Sequence, residues 1–199
     1  PWRTLGLDLF LGLGTSSKYY IESGQGYYDI TPVRETTAAG GATFARVGVG
    51  DATLTVADPS HGAFAGDFVT FSGAASLGAD ITAAILNQEY QIDTIVDSNS
   101  YKINARAVAT VDSITVDGVY TPTLVPAASG DSGNGGGSIV AAYQVSTGLT
   151  SAVFGTGWGA GTWGRNTWGS AAALTLTDLM RIWTHDNFGE DLIINVKDN

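Results

Sequence analysis

Apolar and polar residues alternate over short stretches along most of the chain. A period of two is what a strand buried on one face requires. Tyr19-Tyr20-Ile21-Glu22 and Tyr27-Tyr28-Asp29-Ile30 are aromatic runs separated by Ser23-Gly24-Gln25-Gly26. β-favouring residues on both sides of a glycine turn predict a hairpin. Pro32 ends the second run, because it has no N–H for a ladder. Residues 36–43 are small and polar and read as a loop or junction. Further on, Asp51-Ala52-Thr53-Leu54-Thr55-Val56 puts Leu54 and Val56 on one face. Phe68-Val69-Thr70-Phe71 puts Val69 and Phe71 on one side and Phe68 and Thr70 on the other. Residues 90–96 predict one strand, with a stripe at Tyr90, Ile92 and Thr94 that loses register near Ile95-Val96. Asp97-Ser98-Asn99-Ser100 is a turn, Tyr101-Lys102-Ile103-Asn104 a strand, and residues 108–116 alternate through Val111, Ile114 and Val116. Strands resume over 139–145, 174–183 and 193–196. The one helical prospect is 79–86, about two turns long.

Many short strands with turn clusters between them predict an all-β chain. The layout suggests an insertion. Residues 1–44 and 139–199 form a parent antiparallel β unit, and 45–128 an inserted small β-sandwich or barrel. Residues 129–138 (SGDSGNGGGS) join them as a flexible glycine- and serine-rich loop.

Composition narrows the function classes. The 199 residues carry 19 acidic and 9 basic side chains, a net charge of -10, and the pI is near 4.3. That balance opposes a general grip on a phosphate backbone. There is no cysteine, which excludes disulfides, thiolate zinc and a cysteine nucleophile. Two histidines, His61 and His185, are too few for a histidine-rich metal site. The apolar stretch at 5–13 contains Asp8 and is too short to span a membrane. It also lacks the basic leader of a signal peptide. The chain opens at Pro1 rather than Met, which reads as a processed product or a portion of something longer.

Three stretches invite a chemical reading. Trp-Gly occurs three times at a period of five, at Trp158, Trp163 and Trp168. Indoles there could stack on sugars or bases, but tryptophans that fill gaps between subunits, with glycines allowing tight turns, are the favoured reading. The stretch 183–191 places His185 beside Asp186, Glu190 and Asp191. Neighbours on an extended chain diverge, so a polar turn built on Asn187 and Gly189 is favoured over a hydrolase pair or a metal site. The stretch 12–18 (GLGTSSK) has the wrong spacing for a phosphate loop and leads into a strand, so it reads as a hairpin turn. Asp51, Asp58, Asp67, Asp80 and Asp97 show no regular calcium-ligand spacing. No catalytic residue, cofactor or metal is expected. Trp158, Trp163, Trp168, Trp183 and Phe188 are the candidate interface or stacking residues.

The wording of several segments resembles virion tail proteins of bacteriophages, and within them the tail tubular or nozzle proteins of short-tailed phages. These are 13–22 (LGTSSKYYIE), 27–34 (YYDITPVR), the Gly-Trp-Gly run at 157–169 and 181–192 (RIWTHDNFGEDL). The stretches 61–73 and 87–92 resemble a small β module common in phage structural proteins. The resemblance covers roughly half the chain. It implies a non-enzymatic subunit of a propeller-like hub, assembled with copies of itself as a ring at the end of a tail. Adaptor and fibre proteins would be its neighbours, and DNA would pass without specific binding. An acidic lumen would repel that DNA. Family nozzles are much longer than this chain, which implies a fragment or a compact relative. A receptor- or carbohydrate-binding fibre module is the alternative, and a glycan-degrading tail enzyme would need two carboxylates about 5–10 Å apart in a cleft.

Overall fold

A computed structural model describes residues 2–3, 9–24, 26–108, 123–146, 182–188 and 191–197. Fourteen strands and one short helix are present among them, and every strand pair is antiparallel. The fold is all-β. Residue contacts divide the chain into two units, 1–31 with 147–199, and 32–146.

The first unit holds a four-stranded sheet in sequence order, β1 (Trp2–Arg3), β2 (Leu9–Gly14), β3 (Tyr19–Ser23) and β4 (Gly26–Asp29). The β3–β4 hairpin expected from the aromatic runs forms with Ser23 opposite Gly26. Gly24 turns the chain at φ +58°, a region glycine enters without a Cβ clash. The stretch 12–18 is a hairpin, with Gly14 opposite Tyr19. A separate ribbon pairs β13 (Ile182–Phe188) with β14 (Asp191–Lys197).

The second unit is built from two four-stranded sheets. One runs β10 (Thr94–Asp97), β11 (Ser100–Asn104), β7 (Thr53–Ala57), β6 (Thr43–Arg46). The other runs β5 (Val33–Thr36), β12 (Val140–Gln144), β8 (Phe68–Ser72), β9 (Glu89–Gln91). Strands β5 and β12, assigned by sequence to the parent unit, pair here with each other, and β12 also pairs with β8. Their inward residues make one core. Leu54, Val56, Tyr101 and Ile103 come from the first sheet, and Val69, Phe71, Ala141 and Tyr143 from the second. Phe44 meets Phe71 edge-on at 4.9 Å, and Tyr101 meets Tyr143 at 6.2 Å, so aromatic pairs close the space between the sheets. No ladder joins the two sheets among the described strands, so the unit is a sandwich rather than a closed barrel.

Three expectations change. The single strand expected over 90–96 is two, because the chain crosses from the second sheet to the first at Ile92-Asp93. The Ile92 amide donates to Asp67 O and the Asp93 amide to Lys102 O. Tyr90 and Ile92 are buried while Thr94 is exposed. The helix over 79–86 shrinks to α1 (Ala83–Leu86), capped by Thr82. The 129–138 segment has no regular structure, yet it is tied down rather than free. Gly133 N donates to Leu77 O, and Asn134 and Gly135 carbonyls accept from Phe44 N and Ala75 N. Gly135, at φ +85°, lies so close to Phe44 and Ile139 that a Cβ would stand 2.8 Å from both. The glycines that suggested slack are there so that backbone can lie on the core.

Candidate functional site

The segments that carry the sequence resemblance in the first unit meet in one hydrogen-bonded cluster, in which the buried Tyr19 hydroxyl alone has no hydrogen-bond partner among the described residues. Thr15 begins it. Its hydroxyl accepts from Lys18 N at 2.9 Å and donates to Lys18 O at 3.0 Å, and its amide donates to the same carbonyl at 2.7 Å. This closes the β2–β3 turn by local side-chain bonding. Lys18, 8% exposed, then reaches Asp29 on β4 with Nζ 2.6 Å from Oδ2. The other carboxylate oxygen accepts from Thr31 N at 2.9 Å and Thr31 Oγ1 at 2.6 Å, and Thr31 Oγ1 accepts from Tyr19 N at 2.9 Å. Burial pushes the Asp29 carboxyl up, but the bonds from Lys18 and Thr31 outweigh it and hold it below the usual aspartate range. The sequence reading missed this clasp. Its signal was Asp29-Ile30-Thr31-Pro32, an acid and a hydroxyl two apart just before the proline that ends pairing.

Beside the clasp, Gly12 and Gly14 share one face of β2 and leave a slot. Tyr19 and Trp183 fill it. A Cβ at Gly12 would meet Tyr19 Oη at 2.2 Å, and one at Gly14 would meet Trp183 Cδ1 at 2.6 Å. The two rings lie 5.2 Å apart, and Trp183 Nε1 donates to Thr15 O at 2.7 Å. Tyr19 is fully buried, which pushes its phenol up. His185 completes the group, 5.9 Å from Tyr19 and edge-on. The opposite face of the sheet is different. Leu9, Leu11 and Tyr27 share it and are 54%, 38% and 68% exposed.

Of the sequence candidates, Trp183 is therefore anchored against β2. Trp158, Trp163 and Trp168 lie outside the described residues, as does the Phe188 side chain. Where the sequence predicts a polar turn over 183–191, His185 and Asp186 sit within β13, opposite Ile194 and Ile193. Successive strand residues point to opposite faces, so these two do not converge as a hydrolase pair.

In the second unit the candidate acids close turns. Asp51 accepts from Thr53 N, Asp67 from Phe64 N and Asp97 from Asn99 N. His61 is buried, with Nδ1 accepting from Ala63 N and Nε2 within 3.0 Å of Asp97 O, so Nε2 carries the proton and donates. Tyr101 Oη lies 2.8 Å from Tyr143 Oη, and Tyr143 donates to Asp58. Burial raises the Asp58 carboxyl against the pull of the Tyr143 hydroxyl, and raises both phenols. Asp131, also buried, accepts from the amides of Asp80, Ile81 and Ala128 at 3.0, 3.1 and 2.7 Å. Among the described residues no group of three or more His, Asp or Glu could hold a metal ion. No helix among them is long and apolar enough to cross a membrane.

No protein-family model matches the sequence, and no curated protein matches it. Among solved structures, a chain of the phage phi92 endosialidase is similar with a TM-score of 0.31 and 14% identity. The match covers 69% of this chain and 18% of that one, so the present chain spans under a fifth of its length. A likeness of that extent specifies neither a shared activity nor a shared assembly.

Proposed function

We propose that the chain is a structural virion protein of a bacteriophage tail, and within the tail a nozzle or hub ring subunit. The observation that carries the reading is the cluster in the first unit. Parts of three stretches that resemble tail proteins, 13–22, 27–34 and 181–192, supply Thr15, Lys18, Tyr19, Asp29, Thr31 and Trp183 to one interlocked group. The resemblance therefore falls on residues with a shared structural task rather than on scattered matches. A four-stranded antiparallel sheet in sequence order is also the unit from which propeller blades are made. The exposed Leu9, Leu11 and Tyr27 face suits burial against a neighbouring subunit. In this reading the protein works in the virion, contacts copies of itself, adaptor and fibre proteins, and turns over no substrate.

A receptor- or carbohydrate-binding fibre module is the second reading, favoured by the tryptophan-rich stretch at 158–168. Quantitative mass spectrometry of purified virions tests the first. The chain is expected in a fixed, multiple copy number per particle, and its absence from particles overturns the reading. Loss of host adsorption on Trp→Ala at 158, 163 or 168, with particles otherwise intact, would shift the assignment to the fibre module.

A further inference from the structure

We propose that the second unit carries a binding site for an acidic saccharide, a sugar bearing a carboxylate, in the groove where the chain crosses between its two sheets. The inference does not rest on the tail reading. The groove has a volume of about 450 Å³ and is lined by Gln91, Asp93, Asn104 and Arg106 together with Ile92 and Leu124. That volume falls within the range of small-molecule sites, ~300–1,000 Å³, and accommodates a sugar ring.

The charge in the groove is the first argument. Arg106 Nη2 donates to Glu89 O, and the guanidinium lies over the Tyr90 ring, 5.5 Å from its centre. Those contacts fix the plane of the fork. No ion pair neutralises Arg106 among the described residues. Its Nε is buried without a hydrogen-bond partner, so a carboxylate in the groove would meet the Nη groups. A planar guanidinium held in place without an ion-pair partner can offer its remaining Nη hydrogens to a carboxylate.

The rest of the lining argues for hydroxyl groups. Asn104 Oδ1 is engaged by the Thr53 hydroxyl at 3.2 Å, which directs its amide N–H pair elsewhere. Gln91 Nε2 donates to Gly66 O at 3.1 Å, leaving its carbonyl oxygen to accept. Asp93 holds the Thr94 hydroxyl through Oδ2 at 2.8 Å and is exposed, so Oδ1 can accept from a sugar O–H. Donors, acceptors and a carboxylate thus ring one wall, while Leu124, 53% exposed, offers apolar surface to the C–H face of a ring. A simple anion would use Arg106 but bring no hydroxyl for the Asp93 carboxylate, and a neutral sugar would satisfy Asp93 and leave Arg106 without an anion. A sugar acid uses both halves.

The test is an NMR titration of the ¹⁵N-labelled full chain with sodium D-glucuronate, with D-glucose and sodium acetate in parallel. Glucuronate is expected to move the amides of Gln91, Asp93 and Asn104 and the Arg106 Nε–H, saturably, and about tenfold more tightly than glucose or acetate. Arg106→Gln should abolish the preference for glucuronate over glucose. Asn104→Ala, which removes no charge and leaves the sheet backbone intact, should weaken glucuronate several-fold and leave acetate unchanged. If Arg106→Gln does not fold, Asn104→Ala and the acetate comparison decide. Equal response to glucuronate and acetate, or no response in the groove to glucuronate, overturns the proposal.

Discussion

Gly14 shows how much one missing methyl group can specify. A strand glycine ordinarily weakens a sheet, because it adds no packing and loses more backbone entropy on folding. Here its absent Cβ is the space in which Trp183 lies, and Gly12 does the same for Tyr19. Gly14→Val is expected to push Trp183 off β2 and break its bond to Thr15 O. The overpacking should destabilise the first unit by about 1–3 kcal/mol. The Trp183 indole N–H resonance and the unfolding midpoint read the outcome, and an unchanged resonance would contradict the assigned packing. Pattern reading could not locate this slot, since it depends on a tryptophan 169 positions away in sequence. Residues bonded close by were more legible: Leu54, Val56, Val69 and Phe71 are buried as their alternation requires.

At the scale of elements, the 129–138 segment shows why composition misleads about mobility. Its glycines and serines suggested slack, yet Asp131 gathers three backbone amides from 80–81 and 128. Burial pushes the Asp131 carboxyl up, but those amides pull it further down, below the ordinary aspartate value. A carboxyl whose folded pKa lies below its unfolded one contributes stability that is fully present above about pH 4 and is lost as pH falls through the folded value. The protection factors of the Asp80, Ile81 and Ala128 amides, corrected for the intrinsic slowing of exchange in acid, are therefore expected to fall selectively as pH drops through the folded value. In Asp131→Asn the same amides should exchange fast already at neutral pH. Exchange equal to wild type in the variant would contradict the pinning role. Asp58 has the opposite sign. Burial raises its pKa, so protonation is favoured relative to the unfolded chain, a contribution present at low pH and lost as pH rises through the folded value. The crossing at Ile92-Asp93 was illegible for a related reason: the stripe Tyr90, Ile92, Thr94 keeps its period while the hydrogen-bond partners change sheet. Periodicity reports which side of a strand is apolar, not which sheet it joins.

Across the whole molecule, the all-β class followed from strand spacing, and the sandwich of the second unit follows from two inner faces that share one core. The functional reading draws on different information. The buried Asp58, His61 and Asp131, and the more exposed Asp29, are engaged in holding turns and sheets together. In these positions the acids serve architecture, within a chain whose net charge is -10. The most direct measurement is a reconstruction of the intact phage particle by electron cryomicroscopy. The account predicts density for both units in every subunit of a symmetric ring at the tail, with the Leu9, Leu11 and Tyr27 face buried between subunits. A particle whose tail ring is fully accounted for by other chains would contradict it.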